Sequence, residues 1–187
     1  MVELKPKVVL KQKGESAYIP VKNLVATLSW TAAVDLDLYA FYRAKKDIKR
    51  RGGLLDRGGV KPGQEGTVYY RSKGNLKKFP WMSLDQDSGV GDVGGQNAEN
   101  LRITNLDEVE HVLIVANIFN KPNANFASYD GRVTLIAGDQ VVEVPLTATT
   151  GGSWCIVAHI DNSNPMGARL ININKVQCDQ PKASQFA

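Results

Sequence analysis

The chain has 187 residues, of which 43% are hydrophobic and 22% charged, and its formal net charge is +4. This mix is typical of a globular domain, and it excludes wholesale disorder, a collagen repeat and a small disulfide scaffold. No apolar run approaches the roughly 20 residues that a membrane helix needs, and the start lacks a signal peptide's apolar core, so we expect a cytoplasmic protein.

Apolar and polar residues alternate with a period of two over much of the chain, which is typical of half-buried β-strands. Residues 111–119 are apolar on both faces, which predicts a central strand that is covered on both sides. The sequence therefore predicts an all-β fold, a two-sheet antiparallel β-sandwich with one or two short helical turns. The predicted half-buried strands, in chain order, are 24–30, 133–137, 142–146, 154–160 and 168–176.

The connections between these strands give the domain organisation. We expect helical turns at residues 105–110, capped by Asn105, and at 120–129. Residues 43–66 are polar and rich in glycine and basic side chains, which indicates a long basic loop insertion. The sequence thus predicts one sandwich domain over residues 1–178, followed by a flexible tail at 179–187.

Two acidic stretches form the main candidate site. Asp35 and Asp37 fall on one face of a predicted strand, because strand side chains alternate. Residues 83–99 combine oxygen-bearing side chains with glycines, which let a loop turn its carbonyl groups inward. Calcium takes 6–8 oxygen ligands, so this composition suits it, whereas zinc prefers histidine and cysteine. A solvated strand end and a solvated loop are the alternatives.

A resemblance to a known family links these two stretches. The chain resembles the TerD family of tellurite-resistance and stress-response proteins in the segments LKQKGESAYIP, LVATLSW, VDLDLYAFY, TVYYRSKGN, LRITNLDEVEHVLIVANIF, GGSWCIVAHI and GARLININKV. The resemblance implies a two-sheet β-sandwich that binds one or two calcium ions between the strand with Asp35 and Asp37, the Asp-Leu-Asp strand, and residues 83–99, the Asp/Gly loop. The ligands that it implies are Asp35, Asp37, Asp85, Asp87, Gly89, Gly91, Asp92 and Glu99.

The function that follows from the resemblance is a non-enzymatic stress-response module whose partners are other proteins of the same system. A second hypothesis is that the basic loop binds nucleic acid or another anionic surface. A third is a structural subunit that assembles into a homo-oligomer through strand edges. The basic residues of the second hypothesis are Arg43, Lys45, Lys46, Lys49, Arg50 and Arg51.

Enzymatic chemistry finds little support in the sequence. His111 and His159 are the only histidines in the chain. Cys155 and His159 share a face of their predicted strand, but four strand residues separate them by about 13 Å, too far for a nucleophile and its base. We expect a buried thiol and a surface imidazole.

Overall fold

The computed structural model describes residues 7–20, 23–48, 60–85, 96–119, 125–138 and 140–186. Thirteen strands and two 3₁₀ helices are found there. The helices are Phe126–Tyr129 and Ala183–Phe186. The strands are β1 Lys7–Val9, β2 Ser16–Ile19, β3 Leu24–Trp30, β4 Leu36–Ala44, β5 Glu65–Val68, β6 Gly74–Asn75, β7 Met82–Leu84, β8 Asn97–Ile103, β9 Val109–Ile118, β10 Arg132–Ala137, β11 Gln140–Pro145, β12 Trp154–Asp161 and β13 Ala168–Gln177.

The strands form two sheets, and the predicted two-sheet sandwich is confirmed. Sheet A has the order β1-β11-β10-β3-β8-β7-β6, and sheet B has the order β2-β13-β12-β9-β4-β5. The pairs are antiparallel except that β1 runs parallel to β11. Among the described residues, no helix is long and apolar enough to cross a bilayer.

The main core lies between the sheets, because alternate residues of each strand point inward. Leu24, Ala26, Leu28 and Trp30 supply the inward face of β3. The predicted central strand is β9, whose apolar residues are buried on both faces. A second apolar cluster therefore covers the outer face of sheet B.

Strand β12 changes phase halfway along its length. Its register shifts between Ile156 and Ala158 against both neighbouring strands, which is the signature of a β-bulge. Cys155 thus faces the core between the sheets, whereas His159 pairs with Leu113 on the outer face of sheet B. The prediction that Cys155 and His159 share a face was wrong, because the bulge adds one residue to the alternation.

Three segments outside the strands can be compared with their predicted structures. Residues 105–110 form no helix, since the Asn105 side chain instead accepts a hydrogen bond from the Asp107 N–H at 2.6 Å and closes a turn. The turn expected within 120–129 is present as the first 3₁₀ helix. In the segment assigned to a flexible tail, the second 3₁₀ helix buries Ala183 against sheet B.

Candidate functional site

Strand β4 carries the first pair of predicted ligands on the outer face of sheet B. Leu36 and Leu38 point into the core between the sheets, so Asp37 points outward, and so does Asp35 just before the strand. Asp37 is only 5% exposed, because the second apolar cluster lies on the same face, and Asp35 is half-buried. The predicted placement of both carboxylates on one face agrees with this geometry.

Glu99 reaches the same part of β4 from the other sheet. It lies on β8 opposite Leu28, a core residue, so it points inward and is 1% exposed. One of its carboxylate oxygens accepts a hydrogen bond from the Leu38 N–H at 2.7 Å. Leu38 is the residue between Asp37 and Tyr39, so this bond joins the strand that follows the Asp/Gly loop to the Asp-Leu-Asp strand.

The end of β5 explains why the Leu38 N–H is within reach of a carboxylate. The last β4–β5 pair is Ala40 with Val68, so Leu38 lies beyond the end of β5. An N–H at a sheet edge needs an acceptor when it is buried. Glu99 supplies that acceptor from the facing sheet, and the hydrogen bond to an ionised carboxylate is of the stronger kind.

The phenol of Tyr39 reports the electrostatics of this region. Burial raises the pKa of Tyr39 above its ordinary value, and the charge of Asp37 raises it further, with contributions from Tyr70, Tyr69 and Glu99. A carboxylate acts in this way because it disfavours a second negative charge nearby. Asp37 and Glu99, which come from different sheets, therefore both act on the same hydroxyl group.

Aromatic rings pack on the outer side of this acidic region. The Tyr39 ring stacks on Tyr69 with centroids 5.6 Å apart, and Trp154 meets Tyr39 edge-on at 5.0 Å. These contacts place the Trp154 indole next to Tyr39, whose pKa both carboxylates raise. Trp154 is therefore a natural fluorescent reporter of any ion bound near Asp37.

Asp85 lies apart from the other predicted ligands that the structure describes. Its carboxylate accepts hydrogen bonds from the backbone N–H and the side-chain amide of Asn100, at 2.9 and 2.7 Å. Asn100 follows Glu99 on β8 and bonds Thr27 across the sheet, so it lies on the outer face of sheet A. Asp85 and Glu99 thus project to opposite faces of sheet A.

The remaining predicted ligands, Asp87, Gly89, Gly91 and Asp92, lie outside the described residues. Within the described ranges, no three histidine, cysteine, aspartate or glutamate side chains form a group that could hold a metal ion. The structure therefore brings β4 and Glu99 together and places Asp85 on another face. The donors at β4 and Glu99 are carboxylate oxygens, which suit a hard cation such as calcium.

Three of the six basic residues of the second hypothesis lie in the described part of the chain. Arg43 lies on β4 opposite His111, and its Nε atom is buried. Lys45 and Lys46 line a cleft of about 370 Å³ together with the acids Asp47 and Glu110, which offset their charge. Lys49, Arg50 and Arg51 lie outside the described residues.

A histidine pair was missed by the sequence analysis. His111 Nδ1 and His159 Nε2 are 3.0 Å apart, and the two residues are only 6% and 4% exposed. The expected surface imidazole is therefore a buried one, because the bulge in β12 turns His159 toward His111. A short apolar strand gives no signal for the position of a bulge, so the alternation alone could not have found the pair.

Neither the protein-family models nor the curated proteins include a match to this chain.

Proposed function

We propose that this protein is a calcium-binding β-sandwich of the TerD type that acts by binding and not by catalysis. The ion is held between the Asp-Leu-Asp strand and the Asp/Gly loop, as the resemblance implies. The observation that carries this proposal is the 2.7 Å hydrogen bond from the Leu38 N–H to Glu99. It connects two predicted ligand segments that are separated by about sixty residues in the sequence.

The chemistry of burial supports the same proposal. Asp37 and Glu99 are almost fully buried, and transferring an ionised carboxylate out of water is costly unless hydrogen-bond donors or cations compensate. A divalent cation bound at β4, close to the Tyr39 hydroxyl on which both carboxylates act, would neutralise their negative charge. Calcium accepts irregular sets of oxygen ligands more readily than magnesium does, so it is the better candidate.

Calorimetric titration of the chelator-treated full chain with calcium tests the proposal. We expect saturable binding by the natural protein and at least a tenfold weaker affinity for Asp37→Asn and Glu99→Gln, since each removes one negative charge and keeps the side-chain shape. Asp130→Asn is the matched control, because Asp130 is an exposed acid that contacts Arg132. Absence of binding by the natural protein at millimolar calcium would reject the proposal.

Asp85→Asn tests whether the ion lies at β4 or at the Asp/Gly loop. Because Asp85 lies on the outer face of sheet A and already accepts two bonds from Asn100, we expect its substitution to weaken calcium binding less than Asp37→Asn does. An equal or larger loss for Asp85→Asn would place the ion away from β4. The protein would then still bind calcium, but at the Asp/Gly loop and not at β4.

A further inference from the structure

The buried histidine pair can hold only one proton between its two facing nitrogen atoms. His111 Nδ1 and His159 Nε2 form a hydrogen bond of 3.0 Å, in which one ring donates and the other accepts. If both rings are charged, two N–H groups and two positive charges face each other across this distance. The contact between the rings is therefore incompatible with double protonation.

A short piece of chain lies over this pair, and we call residues 178–186 the covering segment. Its 3₁₀ helix contacts β4, β9 and β5 on the outer face of sheet B. Ala183, which is 2% exposed, packs into the apolar cluster that includes Leu113, and the Phe186 ring lies 5.4 Å from the His159 ring. The segment thus rests directly on one of the two histidines.

The covering segment is attached mainly by apolar contacts. Its hydrogen bonds among the described residues run within the segment or to Gln177, such as the Gln185 N–H to the Lys182 carbonyl at 3.1 Å. Short elements with few tertiary hydrogen bonds open at a lower free energy than the core does. The segment can therefore detach without breaking a sheet.

Each element that packs against the histidine pair carries charged groups near it. On β9, Glu110 lies 3.8 Å from His111 Nε2, and on β12, Asp161 lies 3.7 Å from His111 Nδ1. Their carboxylates favour a charge on His111. The basic groups nearby are Arg43 on β4, Lys46 after it and Arg169 on β13, and the covering segment itself carries Asp179 and Lys182.

Burial lowers the pKa of each imidazole by more than the nearby carboxylates raise it. Desolvation lowers the pKa of His111, and desolvation followed by the charge of His111 lowers the pKa of His159 to about 4. Because Glu110 and Asp161 lie beside His111, that ring takes the first proton. The second proton goes to His159, directly under Phe186.

We propose that the covering segment is an acid-released strap, which leaves the outer face of sheet B when both His111 and His159 are protonated. Charging His159 replaces the hydrogen bond between the rings with repulsion, and the protonated imidazole gains water only if Phe186 moves away. Release exposes the apolar surface around Tyr39, Phe41 and Leu113. The sandwich core between the sheets stays folded during this step.

The direction of the pH dependence follows from proton linkage. The released state exposes His159 and restores an ordinary pKa of about 6.5, whereas the closed state holds a pKa of about 4. The released state therefore binds more protons, and the equilibrium constant for release rises as the pH falls. We expect no change above about pH 6.5, a rise of up to about tenfold per pH unit between these limits, and a plateau below.

Methyl NMR of the full chain with labelled alanine tests this proposal between pH 7.5 and 3.5. We expect the Ala183 methyl signal to move reversibly to a solvent-exposed position as the pH falls. The methyl signals of Ala26 and Ala116, which lie in the core between the sheets, should keep their native positions over the same range. If all three signals collapse together, the transition is global acid unfolding and the proposal fails.

One variant and one control assign the transition to the histidine pair. His159→Gln keeps a hydrogen-bonding group without a titrating one, so we expect at least a tenfold smaller released fraction at pH 4.5. Lys182→Gln removes a charge from the segment and should leave the midpoint unchanged. An unaltered pH curve for His159→Gln would overturn the proposal.

Phe186→Ala gives an independent test that needs no acid. Because the Phe186 ring is the contact of the segment with His159, we expect Ala183 to be released already at pH 7 in this variant. A native Ala183 signal in Phe186→Ala at pH 7 would also overturn the proposal, even if His159→Gln failed to fold.

Discussion

Glu99 has a structural role in addition to its proposed ionic one. Its carboxylate is the acceptor for the buried N–H of Leu38, so the side chain joins the two sheets at the edge of β4. A buried donor that loses its acceptor costs about 1–3 kcal/mol. This residue therefore couples the packing of the sandwich to the electrostatics of the candidate site.

We predict that Glu99→Ala is less stable than Glu99→Gln by about 1–3 kcal/mol in the absence of calcium. Glutamine retains an oxygen that can accept the Leu38 N–H, whereas alanine leaves this N–H without an acceptor and opens a cavity. Urea denaturation of the two chelator-treated variants measures the difference. Equal free energies of unfolding would show that the Glu99–Leu38 bond contributes little.

The two cysteines differ in their surroundings. Burial raises the pKa of the Cys155 thiol to about 12, and its Sγ lies 3.7 Å from the Asn174 side-chain oxygen, whereas Cys178 is exposed. The thiolate is the reactive form, so Cys155 should be inert in the folded protein. We predict one iodoacetamide adduct per native chain at pH 8, at Cys178, and two adducts after denaturation, as measured by mass spectrometry. Modification of Cys155 at the rate of Cys178 would contradict this burial.

At the scale of elements, Asn162 fixes the connection between β8 and β9. Its side-chain amide donates to the carbonyl groups of Leu106 and Val109 at 2.8 and 2.9 Å, and its own N–H donates to the Glu110 carbonyl. One buried side chain thus bonds two carbonyl groups of the turn, and the Leu106 carbonyl also accepts the Val109 N–H at 3.0 Å.

We predict that Asn162→Ala lowers the free energy of unfolding by about 1–3 kcal/mol, since it removes the Asn162 donor of the Val109 carbonyl and one of the two donors of the Leu106 carbonyl. Asn164→Ala is the control, because Asn164 bonds the Met166 N–H in an exposed turn, and its loss should cost less than about 1 kcal/mol. Equilibrium unfolding in urea provides both values. Equal effects of the two substitutions would indicate that the turn is satisfied in another way.

The elements also show which features a sequence can predict. The shared face of Asp35 and Asp37 follows from the strand period alone, which is local. The contact of Glu99 with β4 depends on which strands of the two sheets face each other. The sequence predicted it only through the resemblance to the TerD family. Asn105 was misassigned because an asparagine that caps a helix and one that closes a turn use the same side-chain hydrogen bond.

At the scale of the whole molecule, calcium should act as a stabilising ligand. An ion that binds only the folded state adds RT ln(1 + [L]/Kd), which is about 2.7 kcal/mol at 100 times the Kd. For a chain of this size, such an increase corresponds to a rise of roughly 5–10 °C in Tm.

We therefore predict that calcium at saturation raises the Tm of the chelator-treated protein, that magnesium at the same concentration does so less, and that Asp37→Asn reduces the rise. Thermal unfolding followed by the fluorescence of Trp154 and the other tryptophans measures the effect. A Tm that does not respond to millimolar calcium would count against the site, whatever the behaviour of the covering segment.

The bulge in β12 has a consequence for engineering this molecule. It reverses the parity of the strand, so positions with odd numbers face inward before it and outward after it, as Cys155 and His159 do. Deletion of the one extra residue at the bulge would restore a regular alternation and leave the following half-strand on its present faces, whereas a deletion elsewhere in β12 would exchange the inward and outward residues that follow it. Insertions and deletions away from the bulge should therefore be far less tolerated than substitutions, and a probe intended for the surface must be placed by parity counted from the bulge.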